Sequence, residues 1–444
     1  MKIRFWAYFL GLVFCVGSAE AKLFGAEDFY LDNGMQVIVV SNHKAPIIRQ
    51  MVWYKAGSTD EPLGKGGVAH LLEHLMFRGT KKVKDSEFNR IVTENGAESN
   101  AFTSLDYTAY YEVMDISKLE LAMLLEADRM RNLDISRESF EKERDIVFQE
   151  RKQVVENNPA SYFSETFRRY LWQEHPYSRP VTGMPEEIQN LTLDDVYDFY
   201  RRYYAPNNAI LVLSGDIDVE TAKELSVKYF GGLKPTKNIT KTSFPVLDKF
   251  SKTYFEMKLP RINAVRMTQS CLAPSYNTDK SRIYALAVFS RYLGEGETSK
   301  LYKKLVVERK SALSVSASYD FASRSYGSFT VSALPKENID ADEFQKELKQ
   351  AIAEAVAEIT LDEIENTKQK MLAGQVYLLD NPNDAAYIAG SLAGIGMSLE
   401  DIENQADYIR SVNYKDVIAA AKDLFENSSC VLGVLKPAEG GENV

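Results

Sequence analysis

Residues 191–218, LTLDDVYDFYRRYYAPNNAILVLSGDID, align without gaps with residues 412–439, VNYKDVIAAAKDLFENSSCVLGVLKPAE. Asp195-Val196 meets Asp416-Val417, and the apolar run Ala209–Leu213 meets Cys430–Val434. Each copy reads as a helix feeding a buried strand. A supersecondary unit used twice implies two related halves rather than one large core. The length agrees, because 444 residues are too many for one typical core. At the front of each half, the strand through Val52 to Ala56 resembles that through Met267 to Ala273. Between the halves, Lys234–Lys249 contains Pro235 and Pro245, polar residues and no clear period, so the boundary is placed there. The expected organisation is a leader at 1–21, a first domain at 22–235 and a second at 250–440.

The leader is read from Lys2 and Arg4, the apolar run Phe5–Gly17, and the small-x-small triplet Ala19-Glu20-Ala21. The run is short for a membrane span. An exported, periplasmic chain cleaved before Lys22 is the expectation, with lipid anchoring through Cys15 as the alternative. Cleavage moves the net charge from −10 to about −11. An acidic chain without basic clusters argues against nucleic acid and anionic membranes as partners. Cys271 and Cys430 remain after cleavage, and the sequence leaves open whether they pair.

The chain holds four histidines, and two of them stand one helical turn apart in His70-Leu71-Leu72-Glu73-His74. Positions i and i+4 share a helix face, so both rings can point at one metal ion. Leu71, Leu72, Leu75 and Met76 form the opposite, apolar stripe. An amphipathic core helix with two satisfied histidines would share that stripe, but three ionisable groups on the other face are costly to bury without a partner. Two imidazoles with a nearby carboxylate suit zinc and hydrolysis: Glu73 is placed to act as general base on a water rather than as a ligand.

A third ligand is sought in ESFEKERDIVFQERKQVVE (138–156), which lacks Gly and Pro and reads as helix. Phe140, Glu143, Val147, Glu150 and Val154 fall on one stripe, so two carboxylates occupy a face that otherwise points inward.

These residues resemble the pitrilysin/insulinase-type zinc peptidases, in particular the branch containing the mitochondrial processing peptidase. The flanking motifs agree: Trp53-Tyr54-Lys55-Ala56-Gly57-Ser58, Phe77-Arg78-Gly79-Thr80, Asn95-Gly96-Ala97, Asn100-Ala101-Phe102-Thr103 and Tyr204-Ala205-Pro206-Asn207-Asn208. The resemblance implies an α+β fold of two homologous α/β domains, each a mixed or antiparallel sheet with helices packed on it, facing each other across a cleft. It implies one Zn2+ per chain on His70, His74 and Glu150, with Glu73 as base and Glu143 supporting the site. In the second half the counterparts of His70, Glu73 and His74 are Ala287, Ser290 and Arg291, so only the first half carries the metal.

Ser99–Tyr111, SNAFTSLDYTAYY, is rich in Thr, Tyr and Phe and reads as one strand. By resemblance it is a sheet edge that accepts a peptide as an added strand, with Asn100, Ala101 and Phe102 in contact with substrate. Active relatives also carry an Arg and a Tyr seven residues apart in the second domain. Here Val306 and Leu313 stand at those places, and no Arg between 250 and 340 is followed by Tyr at the seventh position. The expectation is therefore a zinc endopeptidase subunit for unfolded peptides, working as a heterodimer with a homologue that supplies Arg and Tyr. The alternative is a non-catalytic peptide-binding or scaffold member of the same family.

Overall fold

The computed structural model describes residues 22–438 apart from 86, 238, 248–251, 338, 379 and 380. The leader at 1–21, with Cys15, lies outside the described residues. The first half runs β1 (Glu27–Tyr30), β2 (Gln36–Ser41), β3 (Ile47–Tyr54), α1 (Val68–Leu75), α2 (Glu87–Glu94), β4 (Glu98–Thr103) and β5 (Thr108–Asp115). It continues with α3 (Leu119–Arg131), α4 (Arg137–Arg151), α5 (Pro159–Trp172), α6 (Pro185–Gln189), α7 (Leu193–Tyr203), β6 (Ala209–Gly215) and α8 (Val219–Phe230). The second half runs β7 (Thr253–Leu259), β8 (Arg266–Ala273), α9 (Ile283–Gly294), β9 (Ala312–Asp320) and β10 (Gly327–Pro335). After these come α10 (Ala341–Ala357), α11 (Leu361–Leu378), α12 (Pro382–Gly394), α13 (Leu399–Glu403), α14 (Gln405–Ser411), α15 (Tyr414–Asn427) and β11 (Cys430–Pro437).

The first sheet has the order β1-β2-β6-β3-β5-β4 and the second β7-β11-β8-β10-β9. Apart from the additional β1, the two orders match strand for strand. Each contains one parallel pair, β2 with β6 and β7 with β11, among antiparallel neighbours. The repeat read from the sequence is therefore the α7–β6 and α15–β11 pair, and both of those strands lie inside their sheets.

β6, Ala-Ile-Leu-Val-Leu-Ser-Gly, is buried at every position. Such a run needs cover on both faces. One face of the first sheet packs under α1 and its neighbours in a core that includes Val52, Tyr54, Leu71, Leu75 and Leu211. The other face, with Met51, Trp53, Ile210 and Val212, is closed by Ala385, Ala386 and Ala389 of α12, a helix from the second half. The exchange is reciprocal: Phe163 and Phe167 of α5 pack with Phe255, Val431 and Leu435 of the second sheet. The two exchanged helices start alike, each with an Asn N-cap (Asn158, Asn381) and Pro in the first turn. Close approach is permitted by missing side chains. A Cβ on Gly390 would lie 2.0 Å from Trp53 Nε1, and one on Gly433 would lie 2.7 Å from Phe167.

Polar contacts join the halves as well. The Glu403 carboxylate accepts the backbone N–H groups of Phe24, Gly25 and Ala26, each at 3.0 Å. Arg324, in the β9–β10 turn, reaches Asp60 Oδ2 at 2.8 Å and Asp106 Oδ1 at 3.0 Å in the first half. Removing one partner from a buried pair of this kind costs about 3–5 kcal/mol. Cys271 and Cys430, whose pairing the sequence left open, face each other on β8 and β11 and form a disulfide.

His175 sits in the same seam, fully buried. Its Nδ1 accepts the Tyr177 N–H at 3.1 Å, and Nε2 lies 2.9 Å from Ser325 Oγ of the second half. Burial lowers its pKa from 6.5 to about 4. Above pH 6.5 the ring is neutral in both folded and unfolded chains and contributes no pH dependence. Between pH 6.5 and 4 the unfolded chain takes up a proton that the folded chain refuses, so stability falls by up to about 1.4 kcal/mol per pH unit. Denaturant midpoints should fall across this window, and His175→Gln should flatten the slope even where it lowers stability at pH 8. Equal slopes in the two proteins would show that the ring is not held neutral.

Candidate active site

α1 starts at Gly67, whose φ of 88° and 2.8 Å approach to Thr182 O leave no room for a side chain. The first N–H groups of a helix lack partners within it. Here the buried Glu61 carboxyl group accepts them, from Gly67 at 3.0 Å and from Ala69 at 2.9 Å, which sets its oxygens at the positive end of the helix. Leu71, Leu72 and Leu75 are fully buried, so His70, Glu73 and His74 are set on the remaining face. α4 presents Phe140, Glu143 and Val147 inward, again as the spacing implies. The stripe ends one turn early. A wider, π-type turn at Lys152–Glu156 follows α4 and leaves Val154 exposed.

The two helices bring the candidate ligands together. His74 Nε2 lies 3.5 Å and His70 Nε2 4.0 Å from Glu150 Oε2, and all three donor atoms fall within 4.8 Å of one another. Tetrahedral ligands at zinc bond lengths stand about 3.4 Å apart. Two imidazole nitrogens and one carboxylate oxygen at this spacing fit zinc. On its other side, His74 Nδ1 meets Glu143 Oε2 at 3.2 Å, and Glu143 Oε1 pairs with Arg78 Nη2 at 2.7 Å. A carboxylate behind a ligating ring fixes its tautomer and orientation. Glu143 thus meets the ring at the nitrogen opposite the one that faces Glu150.

The acids also define the electrostatics. Burial lowers His70 to about 4. Burial acts on His74 in the same direction, but Glu143 and Glu150 overcome it and lift the ring to about 9. The two carboxylates therefore create a seat for positive charge. The hydrogen bond with His74 holds Glu150 below its ordinary value. Glu73 is raised by burial, against the pull of Thr103 and His74.

Thr103 was not singled out as a site residue, although it closes a motif already quoted. Its hydroxyl donates to Glu73 Oε2 at 2.5 Å. Arg78, in another flanking motif, was missed for the same reason: only the fold shows what each side chain meets.

The single strand expected over Ser99–Tyr111 is a hairpin. β4 ends at Thr103, Ser104 N donates to Tyr107 O at 2.8 Å, and β5 returns from Thr108. β4 is the outer strand of its sheet. Alternation divides its side chains: Ala101 and Thr103 face α1, while Phe102 turns to the α12 side against Trp53 and Tyr387. Asn100 shares that parity, and its Oδ1 accepts the Ala101 N–H at 2.8 Å, so that amide points out of the sheet edge. In the second half, Val306 is half-buried and Leu313 lies exposed on β9, the edge strand matching β4. Neither side chain offers a hydrogen-bond donor.

The profile of the insulinase family (peptidase family M16) matches residues 36–184, and that of the peptidase M16 inactive domain matches 190–371. "Zinc protease PqqE" of Helicobacter pylori is 32% identical over 437 residues, covering 94% of each chain. "Probable mitochondrial-processing peptidase subunit beta" of Schizosaccharomyces pombe is 31% identical over 218 residues, covering 49% of this chain and 48% of its own. Among solved structures, a protease from Helicobacter pylori aligns with a TM-score of 0.86 at 28% identity, covering 93% of this chain and 99% of that one. The chain belongs to the insulinase-type peptidase family M16.

In the metal-free protein, Glu143→Gln should move the His74 titration midpoint down from about 9, because the raising hydrogen bond loses its charge. Ring-proton NMR across pH reads this directly. An unmoved midpoint would show that Glu143 does not act on the ring.

Proposed function

We propose that this chain is the metal-bearing subunit of an exported zinc endopeptidase that cuts unfolded peptides. In this reading residues 22–235 form the metal domain and 250–440 its metal-free homologue. The observation that carries it is the convergence of His70, His74 and Glu150 beside Glu73, next to an open sheet edge. When bound, zinc would supply Lewis-acid polarisation and lower the pKa of a water. The chain's own residues would do the rest. Glu73, raised by burial, would take a proton from the attacking water and return it to the leaving amine. Thr103 holds the carboxylate in place for that transfer. The β4 edge would receive the peptide main chain as an added strand, which favours extended substrates over folded ones.

Export is supported by the leader-like residues 1–21 and by the disulfide, which suits an oxidising compartment. Among the described residues, no helix is long and apolar enough to cross a membrane.

Purified protein should contain one zinc per chain, lost in His70→Ala and in His74→Ala. Glu73→Gln should keep the zinc while peptide turnover drops by roughly a hundredfold or more, the usual scale for losing a general base. Undiminished zinc in both histidine variants would end the ligand assignment, and parent-rate turnover would remove Glu73 as base.

A partner follows from Val306 and Leu313, which cannot aim donors at a developing oxyanion. The pure chain should cleave weakly, and an exported homologue bearing Arg-x6-Tyr should restore activity until its Arg or Tyr is replaced. Zinc binding without cleavage in any pairing would instead favour the non-catalytic, peptide-binding reading. Full activity alone would show that other residues supply the donors.

A further inference from the structure

The strand orders and helix succession of the two halves correspond, so the counterpart of the metal site can be located in the second half. α9 stands for α1, which sets Arg291 in the place of His74. α4 and α11 start alike: Ser136 Oγ accepts the Ser139 N–H at 3.0 Å, and Thr360 Oγ1 accepts the Glu363 N–H at 3.3 Å. Matching these starts puts Thr367 at the Glu143 position and Gly374 at the Glu150 position. Here the second half has a cavity of about 170 Å³, lined by Arg291, Thr367 and residues of the segment leading to β9.

We propose that this pocket binds a carboxylate carried by a peptide. Its charge is inverted relative to the metal site. Arg291, Lys300, Lys303 and Lys370 line it against two carboxylates, Glu295 and Glu363, in a chain whose net charge is −10. Arg291 pairs with Glu295, and Lys300 Nζ lies 2.6 Å from Glu363 Oε1. Lys370 donates to Thr298 Oγ1 at 3.0 Å, and among the described residues neither it nor Lys303 has a carboxylate within ion-pair distance. Two positive charges are therefore left over at the cavity. A second, independent observation lies inside it: Ser299 is only 4% exposed, lines the cavity, and its Oγ has no hydrogen-bond partner. A buried hydroxyl without a partner is costly, and an anionic oxygen would satisfy it.

The net positive lining attracts a carboxylate or a phosphate alike, so charge does not choose between them. The position points to a peptide. Ser299, Lys300 and Lys303 lie in the segment that joins α9 to β9, the edge strand that corresponds to β4. A chain seated near that edge could place an acidic side chain or its C-terminus in the cavity. The proposal rests on the peptide-binding reading given above and adds a charge preference to it.

Binding can be measured without turnover in zinc-loaded Glu73→Gln protein, by anisotropy of labelled unfolded peptides. A peptide with Asp and Glu residues and a free C-terminus should bind roughly tenfold tighter than its amidated Asn/Gln twin, the scale of one charge-assisted contact. Two intermediate peptides, one keeping only the side-chain acids and one only the C-terminal carboxylate, identify which of them enters. Lys303→Glu with Lys370→Glu, both exposed, should abolish the preference while the zinc content stays the same. Ser299→Val should weaken it without altering surface charge. Equal binding of the twins overturns the proposal, as does a preference that survives the charge reversal. Tight binding of inorganic phosphate with indifference to acidic peptides overturns it too. Failure of the parent chain and its partner to cleave would sink the peptidase reading while leaving these binding contrasts intact.

Discussion

The architecture depends on one constraint: β6 and β11 are buried along nearly their whole length, so both faces of each sheet need cover there. β6 is buried at all seven positions, and the helices of its own half cover one side only. The other side is covered by exchange, with α12 closing the first sheet and α5 the second. Hydrophobic burial of this extent outweighs any single polar contact in the seam. The ion pairs and the Glu403 strap then fix the relative position of two bodies already held together. Gly390 and Gly433 show how closely the exchanged helices approach, since a single methyl group at either place would collide with an aromatic ring.

Within that frame the metal site is a problem in charge balance. Glu143 and Glu150 bracket His74, Arg78 offsets the deeper acid, and Thr103 holds Glu73. The second half keeps the corresponding helices but has Ala287, Arg291 and Gly374 where the first has His70, His74 and Glu150. The result is a cavity of opposite polarity on a shared backbone plan. The side chains differ, while the layers and strand orders persist.

Much of this was legible in the sequence where the signal is local. His70, Glu73 and His74 fall on one helix face by spacing alone, and the inward set of Glu143 with Phe140 and Val147 follows the same arithmetic. The gapless alignment of 191–218 with 412–439 announced two halves. What was missed is set by contacts distant in sequence. The turn Ser104-Leu105-Asp106-Tyr107 has no Gly or Pro to mark it. It is held by Arg324 and Tyr177, which reach Asp106 from far along the chain, so a hairpin read as one strand. The Thr103–Glu73 bond, the Cys271–Cys430 pair and the helix exchange likewise have no periodic signature. Val154 was assigned to the inward stripe because a π-type turn cannot be foreseen from a regular spacing.

Arg324 has a mechanical consequence. Its guanidinium grips Asp60, one residue before the Glu61 that seats α1, and Asp106, in the turn that ends the β4 edge. The loop that aims the metal helix and the hairpin that would carry a peptide are thus fastened to a single bolt driven in from the other half. Any displacement of one half against the other would therefore act on both parts through one side chain.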